Sequence, residues 1–203
     1  MLVKENTVEI KNEDDLSRSI ELVNEHLQSI NNYLNENPHQ NKRIKFPRGY
    51  IGTADSYSKR YSWLIDKTLQ RNLSYQYVFY DVLRWVGNRT DLYGLARHIL
   101  YKQTILIVAS IAESLLVGFS KQQGWVERKP LVILEKIYKG GGIKQKTYNN
   151  FHWVWGIRNN VHIHLVNERE YEKYTIEDAK KAQITVSEIE KNLALYVEVL
   201  SAF

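Results

Sequence analysis

The sequence predicts an all-α protein, and three observations carry the prediction. Apolar residues recur at intervals of three and four over most of the chain, the spacing that lines one face of a helix. Alternation with a period of two, the mark of a half-buried strand, is scarce. Helix start and stop signals bracket the periodic runs: Asn12 with Asp15, Pro130, the triplet Gly140–Gly142, and Thr175 with Asp178.

The first run is Leu16, Ile20, Val23, Leu27, Ile30 and Leu34, a narrow apolar seam that calls for another helix, within the chain or across a dimer. Residues 36–60 hold two of the three prolines and read as one extended basic loop, a tethered arm or a substrate-facing flap. Lys42, Arg43, Lys45, Arg48, Lys59 and Arg60 stand there against Glu36 and Asp55. Tyr61, Leu64, Ile65, Thr68 and Leu69 form a short helical face. Tyr75, Val78, Phe79, Val82, Leu83 and Val86 form the next. The segment from about Asp91 to Gln122 is the longest candidate helix and is apolar on all sides, as a bundle centre would be. A helix begins at Pro130 and stops at the triple glycine, which lacks the strand and the Lys-Ser/Thr of a phosphate loop. Tyr148 to Leu165 reads as an aromatic-rich helix. Thr175 and Asp178 form a capping box for the last one, whose inner face is Ala179, Ala182, Val186, Ile189, Leu193, Tyr196 or Val197, and Leu200. The organisation expected is an N-terminal helix with a basic arm over residues 1–60 and a helical bundle over 61–203, together one compact unit.

Composition narrows the class. The chain has 203 residues, 43% hydrophobic and 25% charged, which are globular values. Cysteine is absent, excluding a disulfide framework, a thiol nucleophile and Cys-ligated zinc. Thr104 to Phe119 is the best membrane candidate and is broken by Ser110, Glu113 and Ser114. The N-terminus is acidic without an apolar run, so a cytoplasmic protein with no membrane partner is expected. The net charge of +5 is unevenly spread. Residues 1–36 carry 3 Lys/Arg against 8 Asp/Glu, residues 37–146 carry 19 against 7, and residues 147–203 carry 6 against 8. A basic middle between acidic ends suits a polyanion on one surface; the competing reading is a solvated basic face. Fourteen Tyr and five Trp add flat surfaces on which unpaired bases can stack, although most of these belong to the core.

No Ser nucleophile elbow, His-Glu-x-x-His or Asp-x-Asp loop is present. The histidines are His26, His39, His98, His152, His162 and His164, and the last two are spaced wrongly for shared metal ligation on a helix. The specific cluster is Trp155-Gly-Ile-Arg-Asn-Asn-Val-His-Ile-His164. Arg158 offers a fixed fork of donors for a phosphate. A histidine titrating near neutrality can move protons to and from a 2′-hydroxyl or a 5′-oxygen, and Asn159 can hold either partner by hydrogen bonding. Together these groups suffice for metal-free RNA cleavage; the alternative is a structural Arg-Asn helix end. On a straight helix His162 lies about 40° from Arg158 and His164 about 240° away. A lone Glu113 in the apolar central helix requires a partner, and Arg158 is the attractive one, with Arg97 as the substitute.

Arg158-Asn159 followed by His164 resembles the Arg-x(4–6)-His motif of the HEPN superfamily, and Val108-Ala-Ser-Ile-Ala-Glu113-Ser-Leu-Leu116 is similar to its central Glu-bearing helix. The resemblance covers roughly residues 60–203. It implies a HEPN-like helical bundle, here with an extra N-terminal helix and a basic loop, that dimerises so that two motifs share one cleft. It further implies a metal-independent endoribonuclease of a toxin–antitoxin or abortive-infection antiviral system, with no cofactor. Arg158 would bind the scissile phosphate, Asn159 would orient, His164 or His162 would be the acid or base, and Glu113 would support the site. Five residues precede His164 after Arg158 and three precede His162, whereas four is commonest in the family. The Tyr that follows the histidine in members paired with a nucleotidyltransferase antitoxin is replaced by Val166. RNA, a second copy, and an antitoxin or other defence-system protein are the partners expected, with Lys42, Arg43, Lys45 and Arg48 as RNA contacts. The aromatic run Tyr148–Trp155 and the Leu16–Leu34 seam supply apolar surface for a dimer. The alternative function is a non-catalytic HEPN-like module that binds nucleic acid, nucleotide or protein.

Overall fold

A computed structural model describes residues 9–45, 50–160 and 173–201, and every regular element among them is helical. The chain divides into two units, residues 1–46 and residues 47–203. The first contains α1 (Glu13–Glu36), which starts as the sequence predicts: the Asn12 side chain accepts from the Asp15 amide at 2.8 Å. Lys42, Arg43 and Lys45 follow it and are exposed; Arg48 lies outside the described residues.

The second unit holds α2 (Ala54–Arg60), α3 (Lys67–Arg89), α4 (Leu95–Gln122), α5 (Pro130–Lys139), α6 (Gln145–Asn159) and α7 (Ile176–Ser201). Helix α4 is the axis, packed against α3, α5, α6 and α7, while α2 packs on α3. Its Ile105, Val108, Ala109, Ile111, Ala112, Leu115, Leu116 and Phe119 are all buried, so apolar residues on every side meet neighbouring helices. Each large side chain among them contributes about 1.5–3 kcal/mol on burial. By length and a mean hydropathy of 1.6, α4 is a helix that could cross a membrane; 56% of its apolar window is buried inside the bundle.

Two expectations are corrected. The basic loop contains α2, capped where the Thr53 hydroxyl accepts from the Ser56 amide at 3.1 Å, and residues 54–60 therefore belong to the bundle rather than to an arm. The apolar face expected on α3 is also misplaced. Tyr75 and Phe79 are exposed, and the buried face is Gln70, Leu73, Ser74, Tyr77, Tyr80 and Asp81. Polar groups are tolerated there because they are satisfied. Gln70 Nε2 donates to the Leu64 carbonyl, and Asp81 accepts from the Gly52 amide at 2.8 Å and from the Tyr57 hydroxyl at 2.5 Å.

The later boundaries follow the sequence signals. α5 starts at Pro130 and ends at Gly140. At the head of α7 the Thr175 amide donates to Asp178 Oδ2 at 3.0 Å, and the Asp178 amide donates to Thr175 Oγ1 at 3.2 Å, the reciprocal bonds of a capping box. Ala179, Ala182, Val186, Ile189 and Leu193 are buried as predicted. α6 runs to Asn159 with Asn160 as its cap, and residues 161–165 of the helix expected to reach Leu165 lie outside the described residues.

Candidate functional site

Glu113 and Arg158 meet across the α4–α6 contact. The Arg158 guanidinium donates to Glu113 Oε2 at 2.9 Å. The pair is half-exposed, with the side chains 38% and 30% accessible, so water still reaches the charges. Geometry on the carboxyl-terminal turn of α6 fixes the arginine further: its guanidinium carbon lies 4.9 Å from the centre of the Trp155 ring, three residues earlier on the same face. Trp155 in turn leans on buried Phe151, with ring centres 6.0 Å apart. A flat arginine held by a ring below and a carboxylate at one edge has few rotamers left. The bond to Glu113 uses one of the fork's five N–H donors. The expected partner for the lone carboxylate is therefore the observed one, and Arg97 instead donates to the Leu92 carbonyl.

Asn159 is exposed and is the last residue of α6. His162 and His164 lie outside the described residues; among those described, Arg158 and Asn159 stand at the carboxyl end of α6 with Glu113 against Arg158. Glu113 also borders a shallow groove of about 390 Å³ with Asp66, Ser114 and Lys121. Eleven residues earlier on α4, about 20° around the helix from Glu113, Lys102 is buried and lies over the Tyr174 ring at 5.7 Å. No group of three metal-ligating side chains occurs among the described residues.

Much of the aromatic content serves the interior. Tyr148 stacks on Tyr138 at 4.7 Å, joining α6 to α5, and Lys181 of α7 caps the Trp153 ring at 4.2 Å. Part of the apolar surface on α6 is thus consumed within the chain.

The sequence reading missed a second polar centre. Glu190 on α7 is 3% exposed and accepts from the Tyr77 hydroxyl at 2.9 Å and the Tyr61 hydroxyl at 3.3 Å, with Arg60 Nε on its other oxygen. Arg60 also covers the Tyr77 ring at 5.1 Å. Burial first, then neighbouring groups including the Glu190 carboxylate, push the Tyr61 and Tyr77 hydroxyls well above the ordinary phenol value. No local spacing announces this cluster, because its members stand 129 residues apart. A separate cleft of about 220 Å³ opens between α3, α4 and α7, lined by Arg84, Asn88, Tyr101, Lys180 and Gln183 among others.

No family model matches this chain, and no curated protein or solved structure matches it either.

Proposed function

We propose that the protein is a HEPN-like, metal-independent endoribonuclease that acts as a homodimer in a toxin–antitoxin or antiviral defence system. The observation that carries the reading is the Arg158–Glu113 ion pair, which joins the two sequence elements of the HEPN resemblance at 2.9 Å. Arg158 holds the scissile phosphate through the N–H groups that Glu113 leaves over. Glu113 and Trp155 position that fork. Asn159 orients the reacting groups, and His164 or His162 removes the proton from the 2′-hydroxyl while a second histidine protonates the departing 5′-oxygen. The products are a 2′,3′-cyclic phosphate and a 5′-hydroxyl. Two-fold pairing supplies the second histidine, since one chain provides half of a symmetric acid–base site. The exposed cations Lys42, Arg43 and Lys45 add contacts to the RNA backbone, with Arg48 alongside them in sequence.

The test is incubation of the purified protein with single-stranded RNA in EDTA. Cleavage that persists in the chelator, ends in cyclic phosphate and disappears in both Arg158→Ala and His164→Ala supports the reading. Undiminished cleavage in Arg158→Ala refutes it. RNA retained on a filter but never shortened would instead favour a binding module, and comparison of His162→Ala with His164→Ala assigns the proton carrier.

A further inference from the structure

Helix α1 buries nothing. Leu16, Ile20, Val23, Leu27 and Ile30 are each between 38% and 55% exposed, and the first unit contains no second described helix to cover them. Their spacing, continued to Leu34, is a strict four-three repeat, which makes Ile20, Leu27 and Leu34 the a positions of a heptad and Leu16, Val23 and Ile30 the d positions. A helix that docks on a globular bundle has a wider stripe that takes in e or g; a seam confined to a and d is the coiled-coil form. Here the flanking e and g positions are Ser17, Ser19, Asn24, His26, Asn31 and Tyr33, without one fixed charge; the apolar row reaches g only at Tyr33, and Leu22 stands apart at an outer c position. The charges of the middle turns, Arg18, Glu21 and Glu25, fall on the outer b and f positions. Nothing beside the seam repels an identical seam.

We propose that the occupant is a second copy of α1, packed antiparallel in a two-helix coiled coil. Direction follows from charge. A parallel pair would crowd two sets of Glu13, Asp14 and Asp15 at one end, an unfavourable meeting of like charges. Antiparallel pairing sets each acidic turn beside the carboxyl end of the other helix, which holds one acid, Glu36, and no base, so fewer like charges meet there than in the parallel pair. It also opposes the two macrodipoles. The seam closes on itself in this orientation: each a residue meets a d residue, Ile20 opposite Ile30, Leu27 opposite Val23 and Leu34 opposite Leu16 of the second copy. This pairing stands apart from the ribonuclease reading, since it needs no RNA chemistry.

Because the chain has no cysteine, introduced thiols report on the pairing without background. Three full-length variants are oxidised and run on a non-reducing gel: Ile20→Cys, Ile30→Cys, and the double variant. Within one helix the two positions lie about 15 Å apart, too far for an internal disulfide. The proposal expects the double variant to become covalent dimer while each single variant stays monomeric on the gel. The outward-facing double variant Arg18→Cys/Asn32→Cys should also stay monomeric. Dimers from the single variants would mean parallel pairing and overturn the orientation. No dimer from any seam variant, or equal linking through the outward pair, would overturn self-pairing altogether. Absence of RNA cleavage by the parent protein, with the crosslink formed in the double variant, would count against the ribonuclease reading alone.

Discussion

Glu190 persists as a buried carboxylate because both of its oxygens are engaged, one by Arg60 and one by the Tyr61 and Tyr77 hydroxyls. Glu190→Ala strands a guanidinium and two hydroxyls and should cost about 3–5 kcal/mol in urea unfolding. Glu190→Gln keeps the shape and a share of the bonds and should cost about 1–3 kcal/mol. A loss below about 1 kcal/mol in the alanine variant would contradict the network account. The surrounding phenols predict a pH response. Burial raises Tyr80 to about 12, and burial with Asp81 raises Tyr57 further. A group whose folded pKa is raised gives stability that is whole below its unfolded value, about 10 for tyrosine, and falls as pH rises toward the folded value. Absorbance at 295 nm, followed together with circular dichroism, should therefore show Tyr57, Tyr61, Tyr77 and Tyr80 ionising only as the fold is lost. Ionisation of these phenols at about pH 10 with the helical signal intact would contradict this. The Arg158–Glu113 pair is half-exposed. Glu113→Gln should cost at most about 1 kcal/mol in stability. It should lower the kcat of RNA cleavage roughly tenfold with little change in KM, as loss of a positioning group does.

At the scale of the element, the reading succeeds where a local rule decides and fails where a distant partner decides. The starts of α1, α5 and α7 and the end of α4 follow from caps, a proline and apolar periodicity, all within a few residues of the boundary. The Glu113–Arg158 contact was legible because a lone charge in an apolar helix demands an opposite one. The buried face of α3 was not legible, since Gln70, Ser74 and Asp81 look solvent-facing until Leu64, Gly52 and Tyr57 are folded against them. Helix α2 was hidden because a seven-residue helix shows scarcely two turns of period. The triple glycine is explained by backbone and space rather than by phosphate. Gly140 has an ordinary φ of −79°, Gly141 a φ of 76°, and a Cβ on Gly142 would come within 2.8 Å of Ile137 Cγ2. Gly141→Ala should thus cost about 1–2 kcal/mol for its left-handed backbone, while Gly140→Ala should stay within about 0.5 kcal/mol of the parent. Thermal melts of the two variants compare them directly, and equal losses would contradict the assignment.

Over the whole molecule, the basic middle of the sequence, residues 37–146, is split between two units, residues 1–46 and residues 47–203. The bundle carries the arginine–glutamate pair and most of the core, and the first unit carries the exposed seam with three exposed cations behind it. α4 is apolar all round because four helices surround it. A homodimer is the assembly in which a half-site per chain becomes a whole one, and light scattering should return twice the 24.0 kDa chain mass. If Arg158 holds a phosphate for metal-free cleavage, as proposed, its removal should stop turnover without unfolding the chain. Initial rates of RNA cleavage in EDTA are compared for the parent and Arg158→Ala, with urea unfolding run alongside to show that the variant remains folded. The account predicts a rate reduced at least about a hundredfold, the loss expected on removing a preorganised charge-stabilising donor, at a stability within about 1 kcal/mol of the parent. An Arg158→Ala protein that is folded and cleaves RNA at the parental rate, or a parent whose cleavage stops in EDTA, would contradict it.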